Sequence, residues 1–322
     1  MIKAMYASHC CRTIAVRGSR SHCTRISTTP VDRISRIPHT RTRIQFQQQT
    51  KASTGDHSDT MSSPWVLIGS GRVGSAFADM GSGSDVMIQR GEAIAGPEGP
   101  IVICTRNDDL EGIVKATPPE RREDLVFIQN GMLQPWLDDQ GLGDNTQVLV
   151  YFAVASKGEA PTDGKTDTNP EGLTAAYGKH AKEIALRLHN AGLSCHVFEK
   201  KEDFMSSMLE KLVWICSFMV VGAEHGCTVG EVEAQHREEV GQLIKELYVA
   251  GCDDLGIGGS EDIDSVVERL CAYARSVAHF PTAVKEFSWR NGYFYGLTEA
   301  AARDGRPDPC PFHTSLLQKV YF

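Results

Sequence analysis

The stretch Trp65-Val-Leu-Ile-Gly69-Ser-Gly71-Arg-Val-Gly74 is an apolar run closed by three spaced glycines. Its spacing is G-x-G-x-x-G, directly after a strand-like segment and directly before a helix-like one. Each glycine has a physical task in a turn that holds a dinucleotide. Gly69 permits the tight turn, and Gly71 lets backbone approach a pyrophosphate. Gly74 lets the new helix pack on the strand, with its amide end facing the phosphates. A ligand-free glycine turn shares the motif, and it is the flanks that favour the dinucleotide reading. The positions expected to contact cofactor are Gly69, Ser70, Gly71, Arg72, Val73 and Gly74.

Outward from this loop, short apolar runs alternate with helix-like segments as far as Val197. The runs are 65–68, 86–88, 101–104, 125–128, 148–152 and 195–198; the helical stretches are 73–80, 109–115, 133–137 and 179–191. Such alternation implies α/β architecture, a doubly wound parallel sheet of Rossmann type with helices on both faces. Residues 158–170 read as a polar loop between strands. Past Glu199 the period changes. Met205, Met208, Leu209, Leu212, Val213, Cys216, Met219 and Val220 recur at helical spacing over 203–225. Further helices are expected over 231–255, over 262–278, from Pro281-Thr282, and from Phe312 to the end. The expected organisation is a basic leader over 1–60, a dinucleotide-binding Rossmann domain over 61–199, and an all-helical C-terminal substrate and catalytic domain over 200–322.

Charge separates the leader from the rest. Residues 1–60 hold ten Lys/Arg against three acids, which leaves −15 on the remainder of a chain whose net charge is −8. Arg-rich, Ser-rich and acid-poor composition is that of an organelle transit peptide, mitochondrial in preference to plastid. Two other readings are a basic nucleic-acid-binding arm, disfavoured by the acidic body, and a translation start at Met61, which would make the protein cytoplasmic. The apolar stretch between Lys211 and Glu224 is too short to span a bilayer, so no membrane partner is expected. The ten cysteines include no C-x-x-C pair, a reduced-compartment pattern with no zinc site and no metal implied. Cys271 and Cys310 lie in polar sequence, and nothing marks either as a nucleophile.

A residue at the end of the second strand, about 20 positions past the first glycine, reads the adenosine ribose. Here that residue is Arg90, whose guanidinium suits a 2′-phosphate, with Arg72 as a second contact. This favours NADP (NADPH) over NAD. The competing reading makes Arg90 a solvated loop residue and Glu92 the ribose ligand.

Three positions in the two halves carry chemistry. Asn130 follows an apolar run at what should be the carboxyl end of a sheet strand, where doubly wound folds bind ligands; an Asn-Gly turn is the plainer account. Lys211 has Met208, Trp214 and Ile215 on its helix face. Burial there would lower its pKa and suit a proton donor, unless the ammonium reaches water. Glu286 has Arg290 four residues on, so a helix-surface ion pair competes with a catalytic role. Asn291-Gly292 could close that helix.

Taken together, Gly69–Gly74, Gln129-Asn130-Gly131-Met132, Glu210-Lys211-Leu212 and Glu286…Asn291-Gly292 resemble, in order and separation, the motifs of the ketopantoate reductase family (2-dehydropantoate 2-reductases). Its two-domain plan is shared with 6-phosphogluconate dehydrogenase-like enzymes. The resemblance runs from about Trp65 to the C-terminus. It implies NADPH-dependent reduction of a 2-oxo acid, as in pantothenate biosynthesis, with Lys211, Glu286 and Asn130 catalytic and Asn130 also contacting the cofactor near its nicotinamide. Asn291 and Ser276 would contact substrate, Ser276 through a gapped local alignment. Where the family's lysine helix goes on with substrate-binding asparagines, this chain has Ile215 and Met219. The sequence therefore fits a divergent branch. An anionic substrate in so acidic a body needs concentrated cations, for which Lys211, Arg106 and Arg290 are available. A same-fold oxidoreductase for another oxo or hydroxy acid and a non-catalytic NADP-binding sensor are the alternatives. The helical half also offers apolar surface for a homodimer.

Overall fold

In the computed structural model, the described residues are 63–259 and 262–322, and the basic N-terminal leader lies outside them. The N-terminal half builds β1 (Val66–Ile68), α1 (Arg72–Asp79), β2 (Val86–Ile88), β3 (Ile101–Ile103), α2 (Leu110–Ala116), β4 (Leu125–Phe127), α3 (Gln134–Asp139), β5 (Thr146–Leu149), β6 (Ala175–Tyr177), α4 (Ala181–Asn190) and β7 (His196–Phe198). The strands form one sheet in the order β2-β1-β3-β4-β5-β6-β7. β1 to β5 are parallel, and β6 runs antiparallel to β5 before β7 resumes parallel to β6.

The strands are three or four residues long, and β1, β3, β4 and β5 are buried on both faces, whereas β2 and β7 at the two sides of the sheet are partly exposed. Trp65, Leu67, Val102 and Val126 face one apolar layer, and Val66, Ile68, Ile103 and Phe127 face the other. Strand register, more than strand length, positions the site. Ile68 pairs with both Ile88 and Ile103, and Ile103 pairs with Phe127, so four strands end in line. The loops that start at Gly69, Gln89, Cys104 and Ile128 therefore emerge along one sheet edge. The order reverses between β1 and β3, which is where such folds open a crevice.

The C-terminal half builds α5 (Lys201–His225), α6 (Val229–Gln235), α7 (Arg237–Leu255), α8 (Ile263–Ser276), α9 (Asn291–Arg303) and α10 (Pro311–Val320). α5 is its axis. It is apolar on nearly every face and long enough to cross a membrane, yet 78% of its apolar window is buried inside this fold. It ends where Gly226 takes the left-handed conformation (φ 65°), which glycine adopts without steric cost. Only four large apolar side chains are exposed among the described residues: Leu186, Val249, Tyr321 and Phe322. Most apolar side chains of the helical half lie in a core that also takes in Met132, Leu149, Tyr151 and Ala175 from the N-terminal half.

Four local expectations are corrected. The helix expected over 231–255 is two, broken at His236 (φ −124°, ψ 27°). The segment from Pro281 is irregular up to a single 3-10 turn at Phe287–Trp289, so no helix begins there. Asn291-Gly292 opens α9 instead of closing a helix. The sheet gains β6, an antiparallel member that the alternating pattern did not contain.

Candidate active site

At the start of α1 the glycines do distinct work. Gly69 has φ +99°, and a Cβ on it would meet the Thr105 side chain at 2.9 Å. A Cβ on Gly74 would lie 1.9 Å from the Gly69 carbonyl oxygen and 3.2 Å from Cβ of Cys104, so helix and strand can touch only through glycine. Gly71 is different. Its φ is −70°, and a Cβ there would meet nothing within 4 Å among the described residues. Neither strain nor packing inside the chain calls for glycine at 71. A ligand backbone laid across the loop would. Ser70 is tied to the end of β2 through Gln89, its hydroxyl donating to the Gln89 side-chain carbonyl at 2.9 Å. Val73 is half-buried against the β-sheet core.

The two arginines part company. Arg90 stands at the β2 edge, 89% exposed, with one nitrogen 3.0 Å from Asp109. Glu92 accepts the Gln89 amide at 2.6 Å and so is held by the turn itself. Arg72 instead donates to the carbonyls of Val154 and Ala155 at 3.2 and 3.1 Å, past the end of β5. β5 and β2 lie on opposite sides of β1. The expected pairing of Arg72 with Arg90 on one phosphate is not what this arrangement gives.

The centre of the site is where the sheet edge meets α5. Gln129, Asn130 and Gly131 from the loop after β4, and Met208, Lys211, Leu212 and Ile215 from α5, line one cavity. Its free volume is about 10 Å³, room for about one water. Lys211 is buried, donates from Nζ to the Val150 carbonyl at 2.7 Å, and lies 4.6 Å above the Tyr151 ring. Burial, helped by the nearby charge of Arg290, pulls its pKa down to about 7. The alternative of an ammonium reaching water is excluded by that burial. Gln129 braces the loop, its amide donating to the carbonyls of Ile103 and Thr105 at 2.7 and 3.2 Å. Buried Asn107 donates to the Asn130 carbonyl at 3.1 Å.

A second segment closes over this loop. The Met132 amide donates to the Trp289 carbonyl at 2.7 Å, and a Cβ on Gly131 would lie 2.4 Å from that same oxygen. Three residues before Trp289, Glu286 has φ 48° and ψ 49°, the only non-glycine with positive φ among the described residues. Such a conformation costs on the order of 1–3 kcal/mol and concentrates at functional sites. The Glu286 carboxylate is paired with Arg290 and not with Lys211. Arg290 is largely buried, and its Nε has no partner among the described residues.

Two residues expected at the substrate lie apart from the cavity. Asn291 is buried at the start of α9, where its side-chain oxygen accepts from His313 Nε2 at 2.8 Å. Ser276 donates to the Tyr273 carbonyl at 2.7 Å and borders an open groove with Lys165, Asp167 and Arg275. Of the spare cations, Arg106 is exposed beside Asn107, whereas Arg290 is the one whose charge reaches Lys211. Met219 packs on the helical core, so Ile215 is the apolar replacement that faces the cavity. Cys271 and Cys310 are fully buried. Sequence alone did not flag Asn107 or the Val150 carbonyl, since neither carries a spacing signal.

No family model matches the sequence, and no curated protein matches it. Solved structures do match. D-mandelate dehydrogenase in its ternary structure with NADH and anilino(oxo)acetate aligns with TM-score 0.57 and 14% identity, over 79% of this chain and 97% of that one. A ketopantoate reductase from Ralstonia eutropha gives 0.55 and 15%, over 79% and 97%. The dimeric ketopantoate reductase from Staphylococcus aureus gives 0.53 and 16%, over 80% and 98%. Identities this low carry the fold and not the activity. The chain has the two-domain fold of the ketopantoate reductases, at a sequence distance that makes it divergent from each of them.

Proposed function

We propose that this protein is an NADPH-dependent reductase of a small 2-oxo acid. One observation carries the reading: Lys211, buried with a pKa near 7, shares a cavity with Asn130 at the edge where the glycine loop also emerges. The Gly69–Gly74 loop fits a dinucleotide, because Gly71 has no requirement within the chain for lacking a side chain. A reduced nicotinamide dinucleotide bound there supplies the hydride. Lys211 gives its proton to the carbonyl oxygen as the carbon is reduced, and a pKa near 7 suits that transfer at neutral pH. Arg290, with an unused buried Nε, supplies positive charge for the substrate carboxylate. Glu286 holds Arg290 in place. Asn130 positions the reacting groups from the sheet side. Arg90, exposed at the β2 edge, favours NADPH over NADH. The fold of NADH-bound D-mandelate dehydrogenase supports a nicotinamide cofactor in general and leaves that choice to Arg90.

A second reading concerns the substrate. Ile215 lines the cavity one turn past Lys211, where a polar residue would be needed to bind a hydroxylated acid. This favours 2-oxo acids with apolar side chains over ketopantoate. The leader composition supports an organellar location, mitochondrial in preference to plastid. The test is the purified protein with NADPH, and separately NADH, against ketopantoate and a panel of aliphatic and aryl 2-oxo acids. Turnover is expected with at least one acid, with preference for NADPH and a loss of about 100-fold or more in kcat for Lys211→Ala. Tight NADPH binding with no turnover would make the protein a sensor. An unchanged rate in Lys211→Ala would reject the assignment.

A further inference from the structure

We infer that His225, His236 and Glu239 form a binding site for a divalent transition-metal ion, zinc in the first instance, that ties the end of α5 to the start of α7. Three elements bring these residues together. His225 is the last residue of α5, His236 is the break between α6 and α7, and Glu239 stands in the first turn of α7. One ligand atom from each lies within 4.8 Å of the others. Glu239 Oε2 is the common focus, 2.6 Å from His225 Nε2 and 3.8 Å from His236 Nδ1. A tetrahedral zinc ion with bonds near 2.0–2.1 Å holds its ligand atoms roughly 3.3–3.5 Å apart, close to the spacing found here.

One adjustment is required. The two imidazoles are stacked, with centroids 3.7 Å apart and planes 10° from parallel. Their in-plane lone pairs lie in separate planes, and a shared ion needs one ring to turn about its Cβ–Cγ bond. Both rings are partly exposed, 32% and 25%, so the turn moves into solvent and not into core. On binding, the ion takes the place of the proton between His225 Nε2 and Glu239. Two imidazoles and a carboxylate suit zinc and its transition-metal neighbours better than magnesium or calcium. Three protein ligands leave a fourth position for solvent.

The surroundings favour a cation. Glu224 lies beside the site, paired with Lys319 at 2.9 Å, and Lys319 also feels Glu239. Burial first, and then the charges of Glu231 and Glu239, push the nearby Cys227 thiol up. Of the neighbouring cations, Lys319 is paired with Glu224, and Arg237, next to His236, is paired with Glu233 and Glu268. The site lies about four helical turns from Lys211 along α5, so the ion is a clamp on that helix and takes no part in the proposed reduction. Cysteine spacing pointed to no metal, because these ligands are a pair on the α6–α7 junction completed by a histidine eleven residues earlier on another helix.

The experiment is titration of the untagged, chelator-treated full chain with zinc chloride by calorimetry, with thermal unfolding followed in parallel. The expected result is a saturable site at one zinc per chain, a melting temperature that rises with zinc, and at least tenfold weaker binding in His225→Gln, His236→Gln and Glu239→Gln. Absence of saturable binding, or variants that bind as the wild type does, overturns it. Should a variant not fold, copper(II) added to the wild-type protein decides, through its electron paramagnetic resonance spectrum. Coupling to two nitrogens supports the site, and sulfur-dominated coordination rejects it. None of these readouts depends on reductase activity.

Discussion

A lysine held out of water makes two properties of this protein move in opposite directions. Lys211 has a pKa near 7 in the folded chain against 10.5 for the free side chain. Between those values the unfolded chain binds more protons than the folded one, so stability rises with pH across that window. The cost of burying the ammonium is full below about pH 7 and gone above about 10.5. Lys211→Met should therefore abolish turnover while stabilising the fold by roughly 1–3 kcal/mol below pH 7, after the lost bond to Val150 is counted. That gain should fade as pH approaches 10.5. Denaturant unfolding at several pH values checks this, and a variant no more stable at pH 6 than the wild type would contradict it. If the proposed reduction holds, its kcat/KM in the wild-type protein should fall as pH rises through about 7, because the proton donor is lost. The residue itself was legible, since Met208, Trp214 and Ile215 surround it on its helix. The Glu286–Arg290 pair was legible too, from its four-residue spacing, although it forms across a left-handed turn and not on a helix. What was not legible is that Lys211 is left to the Val150 carbonyl, because no spacing rule specifies a partner across elements.

At the level of elements, the site depends on a junction between two segments more than 150 residues apart in sequence. The 129–132 loop and the 286–290 turn are joined where Trp289 offers its carbonyl to Met132. Gly131 is glycine for two reasons at once, its φ of +119° and the 2.4 Å approach a Cβ would make to that carbonyl. Gly131→Ala should destabilise by roughly 2 kcal/mol or more and lower kcat at least tenfold while leaving NADPH affinity near wild type, since the glycine loop is elsewhere. Wild-type kcat and melting temperature in that variant would show the junction to be incidental. The main strands and α5 were readable from apolar runs and helical spacing. β6 was missed because Ala175-Ala-Tyr177 carries two small side chains and no β-branched residue, unlike the equally short β1 and β3. The break at His236 was missed because neither proline nor glycine marks it.

For the whole molecule, the cavity between the sheet edge and α5 is too small for any oxo acid. On the proposed function, a substrate would require this cavity to open, and the Met132–Trp289 hydrogen bond holds the end of the loop whose residues 129–131 line it. Amide hydrogen exchange should therefore be faster in residues 129–133 than in β1 or α5, and should slow when NADPH and a substrate acid are added together. Protection at 129–133 equal to that of the central strands, with or without ligands, would rule out such opening.

The sequence by itself determined the architecture: an alternating apolar pattern after a glycine-spaced turn, then long helical periods. Those signals are local, since strand and helix periodicity repeat within a few residues and need no partner to be read. It also put forward Lys211, Asn130 and Glu286. Only the tertiary structure decided which of the named residues meet. It set Arg290 rather than Arg106 beside the lysine, sent Arg72 away from Arg90, enclosed Asn291 with His313, and left Ser276 on a separate groove. The reason is physical. Distance between side chains depends on strand register and helix packing summed over the whole chain, and charge, burial and pKa are set by that distance.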